Sequence, residues 1–317
     1  MQFRFILAMV VVIPFLASCY SPKVANQVNV RPQSEEAPST IAGAAKAPIV
    51  FTDDAGREIS LPAEPHRLVS LSASNTEILF ALGLEDRIVG VDDYSDYPPA
   101  AKNKPKVGGF ATTELEKVVA AEPDLVMASN IHTKTVVGEL ERRGLKVMVV
   151  DSPDVKGVLD RIRLVGKTTG REKEAEALVS QMKSKIDLVE ARLAGVEPVK
   201  VFYELSPSLH TAGQGTFVDD MIRLAGGINV AAGAGKGWPQ LNQESLFMLD
   251  PEVILLADHS AGQTPEQAAA RPGWKQISAV KSGRVFTIDP NLANRAGPRV
   301  VEGLELMAKM LHPEKFN

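Results

Sequence analysis

Three hundred and seventeen residues, 44% of them hydrophobic, are too many for one small core and too apolar for a disordered chain, so about two globular domains are expected. Against 39 Asp and Glu stand 35 Lys and Arg, a formal charge of -4, without the basic surplus that holds proteins on phosphate backbones; nucleic acid is excluded as the expected partner. A single cysteine rules out an intramolecular disulfide and every thiolate-rich site, whether zinc ribbon, iron-sulfur cluster or CxxC redox pair.

The chain opens Met1-Gln2-Phe3-Arg4, runs apolar from Phe5 to Leu16 with Pro14 as its only interruption, and then reads Leu16-Ala17-Ser18-Cys19. A positive residue, an apolar run and small residues before a cleavage point make residues 1–18 a signal peptide, too short to cross a bilayer of about 30 Å as a permanent helix. Leu-Ala-Ser-Cys resembles the bacterial lipobox, whose cysteine becomes the lipidated first residue of the mature chain. Cys19 is therefore expected to tether the protein to a membrane outside the cytoplasm; an ordinary signal peptide with an incidental cysteine is the alternative. Residues 19–47 hold Tyr20 as their only aromatic and Pro22, Pro32 and Pro38 among Ser, Gln, Asn and Glu. Such a stretch buries too little apolar surface to offset its ordering entropy and reads as a flexible leash.

From Ile49 onward, short β-rich runs alternate with helical patterns. Strand at Leu68–Leu71, helix at Thr76–Leu82, strand at Ile88–Val91, helix at Leu115–Ala121, strand at Leu125–Ala128, helix at Val136–Arg143 and strand at Val147–Val150 predict an α/β lobe over 48–152 with a mostly parallel sheet. After Asp151 the strand signals stop. Ala175, Leu178, Val179, Met182, Ile186, Val189 and Leu193 fall on one face of a long helix within a connecting region, 153–197. Strand signals resume at Val199–Tyr203, followed by a helix at Phe217–Leu224 and strands at Val253–Leu256 and Val285–Ile288, a second α/β lobe over 198–317.

The second half repeats the first in fragments. Glu116 to Val126 aligns with Glu244 to Ile254, with a glutamate ahead of an acidic-Pro-acidic turn in each, and Gly144 to Asp151 is similar to Gly283 to Asp289. Two α/β lobes of similar build joined by one long helix imply a cleft between them, a favoured place for a ligand.

Signals for catalysis are sparse. There is no GxSxG elbow, no HExxH and no GxxxxGK[ST] loop, and Gly233-Ala234-Gly235-Lys236-Gly237 has the wrong spacing to cradle a phosphate. His66, His132, His210, His259 and His312 are too scattered for a dedicated zinc site. His259, just beyond a strand, is either a ligand group or a solvated loop residue. No catalytic residue and no metal site is expected, and the protein is read as a non-enzyme without a cofactor.

A lipobox, a leash, two similar α/β lobes and one connecting helix resemble the helical-backbone class of periplasmic substrate-binding lipoproteins that serve ABC importers of siderophores, haem and cobalamin. Leu71-Ser72-Ala73-Ser74-Asn75-Thr76-Glu77, Asp93-Tyr94-Ser95-Asp96-Tyr97-Pro98-Pro99, Trp238-Pro239-Gln240-Leu241-Asn242-Gln243-Glu244 and Asn294-Arg295-Ala296-Gly297-Pro298-Arg299 look closest to the cobalamin-binding member. The resemblance implies Tyr94 and Phe110 on one lobe and Trp238 and Arg295 on the other as the residues that hold a cobalamin-like corrinoid. Aromatic planes would cover its apolar face and an arginine would bond its amide edge. Further cleft aromatics of that member are replaced here by Ser129, Leu205 and Leu209 or His210, and its acidic residue before the Arg295 motif is Asn291. Glu116 and Glu244, one per lobe, are implied as docking groups for the permease, which acts with its ATPase; local capping, with Thr113 or Asn242 as caps, is the other role open to them.

The protein is thus expected to act as a monomer that binds a corrinoid and a permease. A ferric-siderophore or haem binder, with Tyr94 or His210 on the iron, remains open within the same class. An exported metal-dependent hydrolase built on Asp92, Asp93 and Asp96, and a surface adhesin or scaffold, remain open outside it.

Overall fold

The computed structural model describes Pro14, residues 47–258 and residues 262–316. The rest of the predicted leader, Cys19, the leash up to residue 46 and His259 lie outside the described residues.

A hairpin, β1 (Ile49–Thr52) and β2 (Glu58–Leu61), precedes the first lobe and lies along its edge, where the Val149 amide donates to the Asp53 carboxylate at 3.0 Å and Asp54 N donates to Val149 O. The lobe's sheet contains β3 (Leu68–Ser70) and β4 (Ile88–Val91). A short ribbon follows, β5 (Gly108–Gly109) with β6 (Thr112–Thr113), and then β7 (Leu125–Ala128) and β8 (Val147–Val149) complete the sheet. The second sheet contains β9 (Val199–Glu204), β10 (Gly227–Asn229), β11 (Val253–Leu256) and β12 (Val285–Thr287). Both sheets are parallel, and their spatial orders, β4-β3-β7-β8 and β10-β9-β11-β12, are the same once each is numbered from its own first strand. The internal repeat is therefore a repeat of topology.

It is also a repeat of turn chemistry. Helices α1 (Ala73–Ala81), α2 (Leu115–Ala120) and α3 (Val137–Arg142) belong to the first lobe. The turns Glu122-Pro123-Asp124 and Asp250-Pro251-Glu252 each place the residue before proline in the left-handed region, φ 46 and 42 degrees. The acid after each proline then accepts backbone amides at the start of the neighbouring strand: Asp124 from His66 and Arg67, at 2.8 and 2.9 Å, and Glu252 from Lys200 at 2.8 Å.

The predicted long helix is present as α5 (Glu172–Arg192, 21 residues), about 31 Å at 1.5 Å per residue. It is one arm of a helical hairpin. The other arm, α4 (Val155–Thr169), has Val155, Val158, Leu159, Ile162 and Val165 buried at helical spacing, and the Asp154 carboxylate caps it by accepting from the Gly157 amide. The arms run antiparallel, with Arg163 paired to Glu176 at 3.0 Å and Gly166 pressed against Ala175. The α4 amide of Val155 donates to Asp220 of α6 (Phe217–Leu224) in the second lobe, while the carbonyl of Thr169 at its far end accepts from Arg87 in the first. The second lobe is completed by α7 (Gln243–Leu249), α8 (Pro265–Ala269), α9 (Ser278–Lys281), α10 (Pro290–Ala293) and α11 (Val300–Leu311), the last packed on α5 and α6.

Strand alternation explains how the lobes adhere. Leu125 and Met127 of β7, Met148 of β8, Val201 and Tyr203 of β9, and Val253 and Leu255 of β11 all join one cluster with α1, α4, α5 and α11. The intervening Val126, Ala128, Val147 and Val149 face a second cluster confined to the first lobe, and Phe202, Ile254 and Leu256 a third confined to the other. One core thus runs through both lobes and the hairpin, and the described residues of 47–316 belong to one compact unit. Among the described residues no helix is long and apolar enough to cross a membrane.

Candidate functional site

In parallel α/β sheets the loops after the strands' carboxyl ends carry ligand groups. Here those loops meet: Arg295, beyond β12, donates to the carbonyl of Tyr94, beyond β4, at 3.2 Å. This bond joins the 92–97 loop of the first lobe to the 288–299 segment of the second.

On the first lobe the 92–97 loop is pinned from below. Thr76 Oγ1 donates to Ser70 Oγ at 2.8 Å and lies 2.7 Å from Ser95 Oγ, which donates to Asp92 Oδ1 at 2.5 Å; Lys106 Nζ bonds the carbonyls of Asp92 and Ser95 at 3.0 and 2.9 Å. Burial pushes the Asp92 carboxyl above the usual range. Asp92 and Ser95 are thus satisfied from beneath, and the ring of Tyr94 is left outside. Tyr94 is 63% exposed, and Phe110, at the tip of the β5–β6 ribbon, 36%. Buried His132 holds that ribbon. Its Nδ1 accepts from the Ser129 amide at 3.0 Å, its Nε2 donates to the carbonyl of Phe110 at 2.7 Å, and the Phe110 ring stands edge-on to the imidazole with centroids 5.3 Å apart. Ser129, expected to replace a cleft aromatic, is consumed in this local cap.

On the second lobe Trp238 is 56% exposed on a loop laid against the 209–214 segment. Gly213 N donates to Gly237 O at 2.8 Å, Gln214 N to Gly235 O at 3.0 Å and Thr211 N to Pro239 O at 2.9 Å. A Cβ on Gly213 would stand 2.2 Å from the carbonyl oxygen of Gly235, so only glycine permits this approach. The 233–237 glycines therefore serve a paired loop that presents Trp238. Next to it His210 is exposed, with Nδ1 within 3.2 and 3.0 Å of the Ser206 and Ser208 hydroxyls. Leu205 and Leu209 are part-buried against the core clusters instead of lining an open wall.

Arg295 is not free on the rim. Its side chain is 11% exposed, and Nη1 bonds Asp96 at 2.7 Å and Glu77 at 3.3 Å. Burial works against charge on Asp96, but the Arg295 hydrogen bond and charge outweigh it and hold this carboxyl below the usual range. Neighbouring Arg299 grips Glu77 through Nη2 at 2.6 Å and Nε at 3.0 Å, which raises the arginine's affinity for its proton, and its guanidinium lies 3.8 Å above the Tyr97 ring. Glu77 and Arg299 stand in motifs that the sequence displays, yet their pairing across 222 positions leaves no local signal. His132 was equally hidden, a lone histidine in a loop.

Asp92, Asp93 and Asp96 are not gathered on one point, since Asp92 is committed inward to Ser95 and Asp96 across the cleft to Arg295. Glu116 is exposed on α2 and paired with Arg143 at 2.8 Å. Thr113 does not cap this helix; Glu114 holds the N-cap position without a side-chain bond, because β6 claims Thr113 as a strand residue. Glu244 is exposed in the first turn of α7, whose cap is Asn242, accepting from Ser245 N at 2.7 Å.

The profile of the family described as periplasmic binding protein matches residues 68–292. An uncharacterized ABC transporter substrate-binding lipoprotein of Bacillus subtilis is 35% identical over 278 residues, 85% of this chain and 87% of the relative. A cobalamin-binding protein of Halobacterium salinarum is 30% identical over 275 residues, 84% of this chain and 74% of the relative. Among solved structures, a periplasmic haem-binding protein from Roseiflexus superposes with a TM-score of 0.70 at 27% identity, covering 79% of this chain and 99% of that one.

Proposed function

Because the chain belongs to the periplasmic binding protein family, we propose that it is the extracytoplasmic substrate-binding lipoprotein of an ABC importer, taking a cobalamin-like corrinoid into its cleft and passing it to the permease and ATPase. It contributes no covalent chemistry. Anchoring through Cys19, which the lipobox-like Leu16-Ala17-Ser18-Cys19 supports, keeps it beside its permease. The observation that supports the ligand reading is the exposure of two aromatic rings, Tyr94 on the first lobe and Trp238 on the second, each on a loop braced by hydrogen bonds. A broad apolar ring system ringed by amides suits two such planes, with Phe110 as a third. Arg295 contributes to the ligand's polar edge only with the nitrogen positions that its bonds to Asp96, Glu77 and Tyr94 leave open.

The test is a titration of the full chain carrying Cys19→Ser with cyanocobalamin, haemin and a ferric siderophore. Tryptophan fluorescence reports it cleanly, because Trp274 is buried beneath Arg271 and Trp238 faces solvent. One-to-one quenching by cyanocobalamin, weakened about 10- to 100-fold by Trp238→Ala, is expected for the loss of a large aromatic contact. No quenching by cyanocobalamin sinks the corrinoid reading.

A second reading, haem in the same cleft, is favoured by His210. Two serine hydroxyls at Nδ1 fix its imidazole, the arrangement that orients a histidine whose other nitrogen binds a metal. Haem binding with a Soret shift that disappears in His210→Ala distinguishes this reading from the first.

A further inference from the structure

Glu77 is a buried carboxylate that neither ligand capture nor permease docking uses. It stands on α1 of the first lobe with its side chain 2% exposed, and three hydrogen bonds reach it, all from the second lobe: Arg299 Nη2 and Arg295 Nη1 on Oε1 at 2.6 and 3.3 Å, and Arg299 Nε on Oε2 at 3.0 Å. Two guanidinium groups on one carboxylate leave an excess positive charge, which Asp96 of the first lobe balances through its bond to Arg295. The four charges sum to zero. Arg299 is further seated on the Tyr97 ring, and the backbone of Gly297 comes so near α1 that a Cβ there would be 3.3 Å from the carbonyl oxygen of Ser74.

Beside this cluster lies a solvent-open groove of about 310 Å³, walled by Glu77 and Arg299 themselves together with Phe80 of α1, Met182 and exposed Lys185 of α5, and Val301 of α11. Interiors specify an arrangement when they are close-packed, and the groove brings solvent up to the edge of the contact between the lobes here. Bidentate arginine–carboxylate bonds are directional, and a buried pair that loses one partner leaves a costly unpaired charge. What packing leaves undetermined at this point, the charges fix.

We propose that Asp96, Arg295, Glu77 and Arg299 form a latch that holds the two lobes at one opening, with Glu77 as the residue that positions the two rims of the cleft. The shared core at the helical hairpin is one attachment between the lobes; the latch is a second, displaced toward the rim at Tyr94, and two separated attachments suppress a rotation that one would permit. The role is independent of which ligand the cleft accepts.

The test is made on ligand-free protein, so its outcome does not depend on the corrinoid reading. In the full chain with Cys19→Ser, spin labels at Ala120→Cys and Met248→Cys, exposed and equivalent in the two lobes, report the distance between α2 and α7. The otherwise unaltered latch is expected to give one narrow distance population. Glu77→Gln, which keeps the side chain's shape and removes its charge, is expected to widen the distribution about twofold, as for a hinge released at one of its restraints. Asp96→Asn, on a half-exposed side chain, is expected to widen it less and in the same sense. An unchanged distribution in a cooperatively folded Glu77→Gln protein overturns the proposal. Should Glu77→Gln fail to fold, Arg295→Gln and Asp96→Asn decide: unchanged width in both overturns it, and widening supports it.

Discussion

The imidazole of His132 has both nitrogens committed, one accepting from the Ser129 amide and one donating to the carbonyl behind Phe110, so it is neutral with its proton on Nε2. Burial depresses its affinity for a second proton, against bonds to Phe110 and Ser129 and the nearby charges of Asp92 and Asp151 that favour one. Because the folded pKa lies below the ordinary value of 6.5, the unfolded chain takes up the proton first. The stabilisation is full above that value and declines as pH falls through it toward the folded pKa. His132→Asn is expected to lower stability by about 1 kcal/mol at pH 7.5, the worth of a buried hydrogen bond, and to flatten the decline between pH 7 and pH 5. Urea midpoints of both proteins across that range measure it, and parallel curves would remove His132 as the cause. Tyr94, Phe110 and Trp238, which the family resemblance singles out, are exposed on their loops. The groups that hold them were not legible in the sequence, because a buried bond to a distant carbonyl has no sequence pattern.

At the scale of elements, the helical hairpin is set by one close approach. A Cβ on Gly166 would lie 2.5 Å from the Cβ of Ala175 and 2.9 Å from the carbonyl oxygen of Arg171, both fixed by the turn through Gly170 at φ 69 degrees. Gly166→Val is expected to cost about 2–3 kcal/mol by forcing the arms apart. Gly138, inside α3, has nothing near its absent Cβ, so Gly138→Ala is expected to stabilise by about 0.5–1 kcal/mol through helix propensity alone. Denaturant melts of the two variants should shift in opposite directions. The strands at 88–91, 125–128 and 253–256 and the helix at 217–224 stand where hydrophobic pattern places them. Helix α4 carries little propensity of its own, being rich in Val, Thr and Gly; the Asp154 cap and the apolar spacing 155, 158, 159, 162 and 165 are what mark it.

For the whole molecule, the shared core and the proposed latch make closure on a ligand small. X-ray scattering is expected to show the radius of gyration changing by less than about 1 Å between empty and loaded protein, far from the closure of domains that move on flexible hinges. The proposed docking glutamates are unequal. Arg143 partly neutralises Glu116, and nothing comparable is bonded to Glu244 among the hydrogen bonds and ion pairs of the described residues. Charges at an interface rim act on association rate, so Glu244→Ala is expected to slow association with the reconstituted permease about tenfold at low salt, while Arg143→Ala accelerates it about two- to threefold. Surface plasmon resonance at two salt concentrations tests both, and equal rates for all variants would dismiss the docking role.

The sequence by itself determined the α/β class, the doubled build and the helix between the halves, because these rest on periodicity, turn residues and internal similarity that act over a few positions. Only the tertiary structure decided that the lobes share one core, that the connection is a two-helix hairpin, and that Arg295 and Arg299 converge on Glu77. The last depends on side chains more than two hundred positions apart meeting in space, and the others on faces that meet only once the elements pack. Their energies come from desolvation and directional bonding, which no short stretch of residue types encodes.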